Sequence, residues 1–135
     1  MQIQNISYEG WQHNACLSNN HVQLIVSLDV GPRILSYKTP NGQNVFKNYP
    51  EQMGKNGESE WMIRGGHRIW LAPEHKELSY VPDNEPVQHE LLGKNGAHFV
   101  NQLLPHFEHL TLFNLHHDKS RSRFFGIVSR NLHIQ

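Results

Sequence analysis

The stretch HVQLIVSLDV, residues 21–30, is the part of the chain that decides the fold class. Every second residue from Val22 to Val30 is a valine or a leucine, and the residues between them are mostly polar. A hydrophobic period of two predicts a β-strand with one buried face. Gly31 and Pro32 follow and end the strand, because both residues interrupt regular secondary structure.

Both flanks of this strand carry further strand signals, separated by turn residues. Arg33–Lys38 predicts a second strand with Leu35 and Tyr37 on one face. The sequence Thr39-Pro40-Asn41-Gly42 predicts a turn in which Asn-Gly supplies the positive φ of a tight hairpin. Further strands are predicted at Ile3–Tyr8, Asn14–Ser18, Gly66–Ala72, Val87–Leu92 and Ala97–Gln102. A helical stripe is indicated only over Leu103–His117, so the predicted class is all-β with an irregular or helical C-terminal tail.

Length and charge limit the classes of function. The 135 residues suffice for one domain, and twelve basic residues balance twelve acidic ones. A neutral chain lacks the basic excess that nucleic acids and anionic membranes attract. A single cysteine, Cys16, excludes an internal disulfide. The N-terminal residues show no secretory signal and no apolar run is long enough to span a bilayer, so we expect a cytoplasmic protein that binds neither nucleic acid nor membrane.

The segment EWMIRGGHRIWLAPE, residues 60–74, holds the densest group of side chains suited to chemistry. Tryptophan can cover the apolar face of a sugar ring, while arginine and histidine can donate hydrogen bonds to its hydroxyl groups. Gly65-Gly66 permits a bulge or a close approach of a ligand to the backbone. The competing interpretation places Trp61 and Trp70 in a sandwich core and the arginines in solvated ion pairs.

Several runs of this sequence together resemble one family. They are Tyr8-Glu9-Gly10-Trp11, Val22–Ile34 with its Gly31-Pro32-Arg33, Asn44-Val45-Phe46-Lys47, and the run from Glu60 to Glu74. In this order they look like the N-terminal part of bacterial proteins of the galactose mutarotase-like (aldose 1-epimerase) superfamily. The final run resembles a branch with a GGHR-W-APE signature. The resemblance covers about residues 5–95 and implies a partial β-supersandwich with a sugar-binding cleft.

The resemblance also implies roles for individual residues. In the superfamily a histidine acts as general acid and a glutamate as general base, and together they open and reclose the sugar ring. By this resemblance His67 is the candidate acid, and Glu74 is the available carboxylate, although it does not map onto the family's base. Arg64, Arg68 and Trp70 are the implied substrate-binding residues. An active protein of this kind would be an aldose 1-epimerase without a metal or another cofactor.

The resemblance ends near residue 101, where the composition also changes. Five of the eleven histidines lie in the last 35 residues, whereas nine of the ten glycines precede residue 100. Members of the superfamily are usually longer chains whose catalytic base comes from the later half. We therefore expect residues 1–101 to be the N-terminal part of a mutarotase-like sandwich, and residues 102–135 to be a divergent, poorly packed tail after a truncation or frame shift. The favoured function is a carbohydrate-binding remnant without full activity, whose ligand is a sugar or sugar derivative and whose exposed sheet edges are covered in a homo-oligomer.

Two other functions stay open from the sequence. The first is a mutarotase-like epimerase that acts on an aldose. The second is metal binding by the tail, because His106 and His109 are three residues apart and His116, His117 and Asp118 offer further ligands of the kind that zinc accepts. The tail matches no known metal motif, so no residue is assigned as a metal ligand.

Overall fold

The computed structural model of the chain describes residues 2–68, 70, 73–92, 96–101, 109–114, 116–118 and 121–123. The strands in these residues are β1 (Gln2–Tyr8), β2 (Trp11–Ser18), β3 (Gln23–Ser27), β4 (Arg33–Lys38), β5 (His67–Arg68), β6 (Gln88–Leu92), β7 (Gly96–Asn101), β8 (His109–Asn114), β9 (His116–Asp118) and β10 (Arg121–Arg123). A single turn of helix, α1 (Lys76–Ser79), precedes β6, and a 3-10 turn at Pro50–Gln52 lies in the long loop between β4 and β5. Among the described residues, no helix has the length and apolar character needed to cross a membrane.

The strands pair in antiparallel fashion and mostly in chain order. Strands β1 to β5 lie side by side in one sheet, β6 to β8 form a second sheet, and β9 pairs with β10. Antiparallel neighbours need only a short connection, which explains this order. Glu9 and Gly10 supply such a connection between β1 and β2, with φ angles of 49° and 95°. The predicted all-β class is confirmed.

One apolar cluster joins the five-stranded sheet to the three-stranded sheet. Its buried members are Ala15, Leu17, Leu24, Val26, Leu28, Ile34, Val87, Ala97 and Phe99. The last three come from β7 and the residue before β6, and they cover one face of the larger sheet. Full burial of one such side chain stabilises the fold by about 1.5–3 kcal/mol. The two sheets therefore pack face to face, as the layers of a sandwich do.

Strand β3 is shorter than its sequence pattern predicts and is buried on both faces. The alternating residues Leu24 and Val26 belong to the main core, as expected. The residues between them, Ile25 and Ser27, are also buried. A second buried apolar cluster, separate from the main core, consists of Trp11, Val30, Leu35 and Met53. Met53 belongs to the loop after β4, so this loop contributes to the cluster. The sequence correctly predicted that Leu24 and Val26 face the main core, but it did not predict that the opposite face of β3 is buried as well.

A β-bulge in β4 corrects the predicted grouping of Leu35 with Tyr37. Ile25 is paired with Ser36 but Val26 with Ile34, so Leu35 is an extra residue in the ladder. An extra residue reverses the alternation of side chains beyond it. As a result Tyr37 packs against the main core together with Ile34, while Leu35 lies in the second cluster.

Two local predictions are wrong in detail. The turn at residues 39–42 forms, and the Gly42 amide donates to the Thr39 carbonyl at 3.0 Å. Neither Asn41 nor Gly42 has a positive φ, however, so the turn does not depend on the positive φ that Asn-Gly was expected to supply. The strand expected over Gly66–Ala72 is confined to the two residues of β5 among those described.

The C-terminal part of the chain contains strand where a helix is predicted. The described portion of Leu103–His117 includes β8, which pairs with β7 over its full length, from Asn101 opposite His109 to Gly96 opposite Asn114. The prediction of a helix is therefore wrong for His109–Asn114. The backbone hydrogen bonds that β8 forms with β7 outweigh the weak helical preference of this segment.

Candidate functional site

A cleft of about 360 Å³ opens beside β5 and is called the β5 cleft below. Its lining residues are Arg33, Lys47, Tyr49, Trp61, Ile63, Gly65, Gly66, Arg68 and Trp70. They come from β4, from the loop after it, and from the segment 61–70 that sequence analysis singled out. Arg68 and Trp70, two of the predicted binding residues, are thus brought together in one concave site.

The two glycines let the segment 61–66 lie directly on the backbone of its neighbours. Gly65 and Gly66 have φ angles of 97° and 70°, which favour glycine. A Cβ atom at Gly65 would lie 2.1 Å from the carbonyl oxygen of Lys47, and one at Gly66 would lie 2.3 Å from that of Ile34. The Gly66 amide also donates to the Lys47 carbonyl at 2.8 Å. The close approach expected at this glycine pair is therefore made by the chain's own backbone.

A buried ionic network lies behind the cleft. Asp83, itself only 5% exposed, accepts from Arg33 Nη2 at 2.8 Å and from Arg64 Nη1 at 3.1 Å. Arg33 Nη1 also donates to the carbonyl oxygens of Ile63 and Gly65, each at 2.7 Å. Burial lowers the pKa of the Arg33 guanidinium, and the neighbouring Asp83 opposes that shift. Arg33 therefore holds the cleft wall at Ile63 and Gly65 and also binds the Asp83 side chain.

Arg64 belongs to this network rather than to the cleft. Its side chain is fully buried and does not line the β5 cleft. Its Nη2 donates to the Glu58 carboxylate at 2.6 Å and to the Asn84 side chain at 3.0 Å. Arg64, predicted to bind substrate, instead joins two loops of the chain, the β4–β5 loop and the loop before β6.

Three aromatic side chains form a compact group, and two of them, Trp61 and Trp70, line the cleft. The ring centroids of Trp61, Trp70 and Tyr80 are separated by 5.1–5.5 Å, and each pair is close to perpendicular. Such edge-to-face contacts contribute about 0.5–1.5 kcal/mol each beyond simple burial. Trp70 is 37% exposed, and neither tryptophan belongs to an apolar core cluster. The tryptophans therefore form a surface of the site, not part of the sandwich core.

The guanidinium of Arg68 stacks on this aromatic group. Its Cζ lies 4.6 Å from the Trp70 ring centroid and 5.3 Å from that of Trp61. Nη2 donates to the Ser79 carbonyl at 3.2 Å. Burial is the main cause that lowers the pKa of Arg68 to about 10, so the side chain stays positively charged at neutral pH. A cation held over two rings is fixed in orientation, which prepares it to bind a ligand.

The two candidate catalytic residues do not line the β5 cleft. His67 is exposed, and its ring lies 6.2 Å from that of Phe46. Glu74 is also exposed, and it accepts a hydrogen bond from the Tyr80 hydroxyl. This bond raises the pKa of Tyr80, because it stabilises the protonated hydroxyl beside a carboxylate. Arg68 and Trp70 thus line one cleft, whereas the candidate acid His67 and the candidate carboxylate Glu74 lie outside its lining.

Sequence analysis did not identify several residues that build the site. Asp83 lies in the loop Pro82–Pro86, where an isolated carboxylate gives no periodic or motif signal. Lys47 and Tyr49 lie in a polar loop, and Tyr80 follows the short helix. Arg33 and Lys47 did carry a signal, as parts of the Gly31-Pro32-Arg33 and Asn44-Val45-Phe46-Lys47 runs of the family resemblance.

Comparisons with protein-family models, with curated proteins and with solved structures found no match to this chain. Within the described residues no group of three or more histidine, cysteine, aspartate or glutamate side chains could hold a metal ion. Of the tail residues proposed as ligands, His106 lies outside the described residues, and the others are described as strand backbone alone. Metal binding by the tail, the boundary near residue 101 and the homo-oligomer stay predictions.

Proposed function

We propose that this chain binds a carbohydrate in the β5 cleft, as a module of galactose mutarotase-like type without full catalytic activity of its own. The observation that carries the proposal is the stack of Arg68 on Trp61 and Trp70 within a concave site. A cleft of about 360 Å³ lies at the small end of the range typical of ligand sites, so it suits one or two sugar rings.

The chemistry of the lining matches the two kinds of surface that a sugar presents. The C–H groups on one face of a pyranose are apolar and pack on an indole ring, and Trp70 offers an exposed ring of this kind. The hydroxyl groups need hydrogen-bond partners, because a buried hydroxyl left unpaired lowers affinity. Arg68 and Lys47 supply donors beside the rings.

We favour binding over epimerisation because the candidate acid, His67, and the candidate carboxylate, Glu74, do not line the cleft. An acid and a base must both lie within hydrogen-bond reach of the bound sugar for the ring to open and reclose. His67 and Glu74 lie outside the lining of the β5 cleft. We therefore expect the mutarotation of galactose or glucose, followed by polarimetry, to proceed no faster with the protein than in buffer. A clear acceleration that is lost in His67→Ala would favour the epimerase instead.

Titration with galactose and with glucose tests the binding proposal directly. Tryptophan fluorescence reports on the site, since two of the three tryptophans line the cleft. Trp70→Ala and Arg68→Ala should each weaken binding by about tenfold or more, the equivalent of about 1.4 kcal/mol. Val45→Ala is the matched control, because Val45 is a 66% exposed apolar side chain that does not line the cleft. Unchanged affinity in both cleft variants, or no binding by the native chain, would contradict the proposal.

A further inference from the structure

The charges in the lining of the β5 cleft are unevenly distributed. The chain as a whole has as many acidic as basic residues. Among the described residues, the lining contains three basic side chains, Arg33, Lys47 and Arg68, and no carboxylate. A concave surface of one charge sign with aromatic walls concentrates its electric field and attracts ligands of the opposite sign.

Two carboxylates near the cleft, those of Asp83 and Glu58, form ion pairs away from its lining. Asp83 forms ion pairs with Arg33 at 2.8 Å and with Arg64 at 3.1 Å, on the buried side of the cleft wall. Glu58 pairs with Arg64 as well. Arg33 is therefore balanced by Asp83, and Lys47 and Arg68 are the other two basic side chains of the lining.

Lys47 is the more accessible of these two cations. It is exposed, its ammonium lies 5.5 Å from the Tyr49 ring centroid, and no carboxylate of the described residues forms an ion pair with it. Arg68 lines the same cleft, with its guanidinium over the Trp70 ring. A ligand that packs on Trp70 thus lies in a cleft whose lining also holds the side chains of Lys47 and Arg68.

Resting on the proposed carbohydrate function, we infer that the β5 cleft selects an acidic monosaccharide, a uronate whose ring packs on Trp70 and whose carboxylate binds Lys47 and Arg68. The carboxylate carbon of a uronate, C6, is bonded directly to the ring carbon C5, so the carboxylate can reach a cation while the ring stays on the indole. Its two oxygens also suit a planar guanidinium. A 6-phosphate is bulkier and extends further from the ring, which fits a small cleft less well.

A matched series of ligands tests this specificity on the full chain. Galactose, galacturonate and galactose 6-phosphate differ only at C6, and the corresponding glucose series covers the other common ring. Dissociation constants from tryptophan fluorescence should be at least about tenfold lower for the uronate than for the neutral sugar at low salt. Raising the salt concentration to about 0.5 M should reduce this preference, because exposed charges are then screened over a few ångströms.

Lys47→Gln and Lys55→Gln form the variant pair. Each removes one exposed ammonium, but only Lys47 lines the cleft. Lys47→Gln should reduce the preference for the uronate to within about threefold of the neutral sugar. The affinity for the neutral sugar should fall by no more than about threefold, because the glutamine amide can still donate a hydrogen bond to a hydroxyl group. Lys55→Gln should leave both unchanged. This pair does not depend on the buried network, so loss of the fold does not complicate the result.

The possible outcomes separate the inference from the proposed function. Equal affinity for neutral and acidic sugars, with no effect of Lys47→Gln, overturns the inference and leaves the carbohydrate function in place. Tighter binding of the 6-phosphate than of the uronate overturns the assignment of a carboxylate. Absence of binding to every sugar in both series overturns the proposed function together with the inference.

Discussion

Arg33 of β4 and Arg68 of β5 are paired directly opposite each other in the antiparallel ladder. Like charges in this position destabilise a sheet unless something compensates them. The two residues are compensated in different ways: Arg33 by Asp83 at 2.8 Å, and Arg68 by the ring of Trp70 at 4.6 Å. This difference divides their roles, since one guanidinium anchors the wall of the cleft and the other is held where a ligand can reach it.

Replacement of Asp83 tests the anchoring network. Asp83→Asn leaves the buried guanidinium groups of Arg33 and Arg64 without their shared carboxylate. We expect the free energy of unfolding in urea to fall by about 3–5 kcal/mol, the usual cost of breaking a buried ion pair. Asp29→Asn is the control, because Asp29 pairs with His13, whose side chain is 65% exposed. Its loss should be about 1 kcal/mol or less, and equal losses in both variants would show that burial of the network is not decisive.

Replacement of the two opposed arginines separates their roles. Arg33→Met should destabilise the fold by about 3 kcal/mol or more, because Asp83 and the carbonyl groups of Ile63 and Gly65 lose a donor. Arg68→Met should cost less than about 1.5 kcal/mol, since methionine still packs on the rings while a partly buried charge is removed. Chemical denaturation of both variants measures this contrast. Similar losses would place Arg68 in the structural network.

Two glycines with similar backbone angles test the close approach of the backbone at the cleft wall. Gly65 and Gly57 have φ angles of 97° and 84°, so an alanine is strained at either position. Only at Gly65 would the new Cβ collide with another atom, at 2.1 Å from the Lys47 carbonyl oxygen, whereas nothing lies within 4 Å at Gly57. We expect Gly57→Ala to cost about 1–2 kcal/mol and Gly65→Ala to cost distinctly more, measured by thermal or urea unfolding. Equal costs would mean that the wall adjusts freely.

Because the thiol of the single cysteine, Cys16, is buried, we expect a loss of stability at alkaline pH. Burial raises the pKa of the Cys16 thiol above its ordinary value of 9.0. The protonated thiol is then favoured in the folded state, so its stabilising contribution is complete below that value and is lost as the pH rises through the folded pKa. Between pH 7 and 9.5 the free energy of unfolding should fall by less than about 1 kcal/mol from this group. Cys16→Ala should show a smaller decrease over the same interval, and an identical decrease would assign the effect to other groups.

Much of the strand framework could be predicted from local sequence. Alternation at Val22–Val30, the turn residues after it, and the weaker patterns at β1 and β2 all led to strands near their observed places. Hairpin β6–β7 was likewise expected from its flanking runs. These features are local, because a strand and its turn are specified by residues that are neighbours in the chain.

The exceptions are features that depend on a partner strand. The bulge at Leu35 reverses the side chains beyond it, and only its pairing with β3 reveals the extra residue. The helical stripe predicted over Leu103–His117 includes His109–Asn114, yet this segment is a strand because β7 provides an edge to pair with. No pattern within a single segment carries this information.

The all-β class follows from the sequence alone, and so does the grouping of two tryptophans, two glycines and two of the three arginines of the site within residues 60–74. The roles of the three guanidinium groups depend on the tertiary structure: those of Arg33 and Arg64 are buried in ion pairs with Asp83, and that of Arg68 lies over the tryptophan rings. Asp83, the shared partner of Arg33 and Arg64, lies 50 residues after the first and 19 residues after the second in the sequence. An ion pair between distant residues forms only when the fold brings them together, and it leaves no periodic signal in the chain.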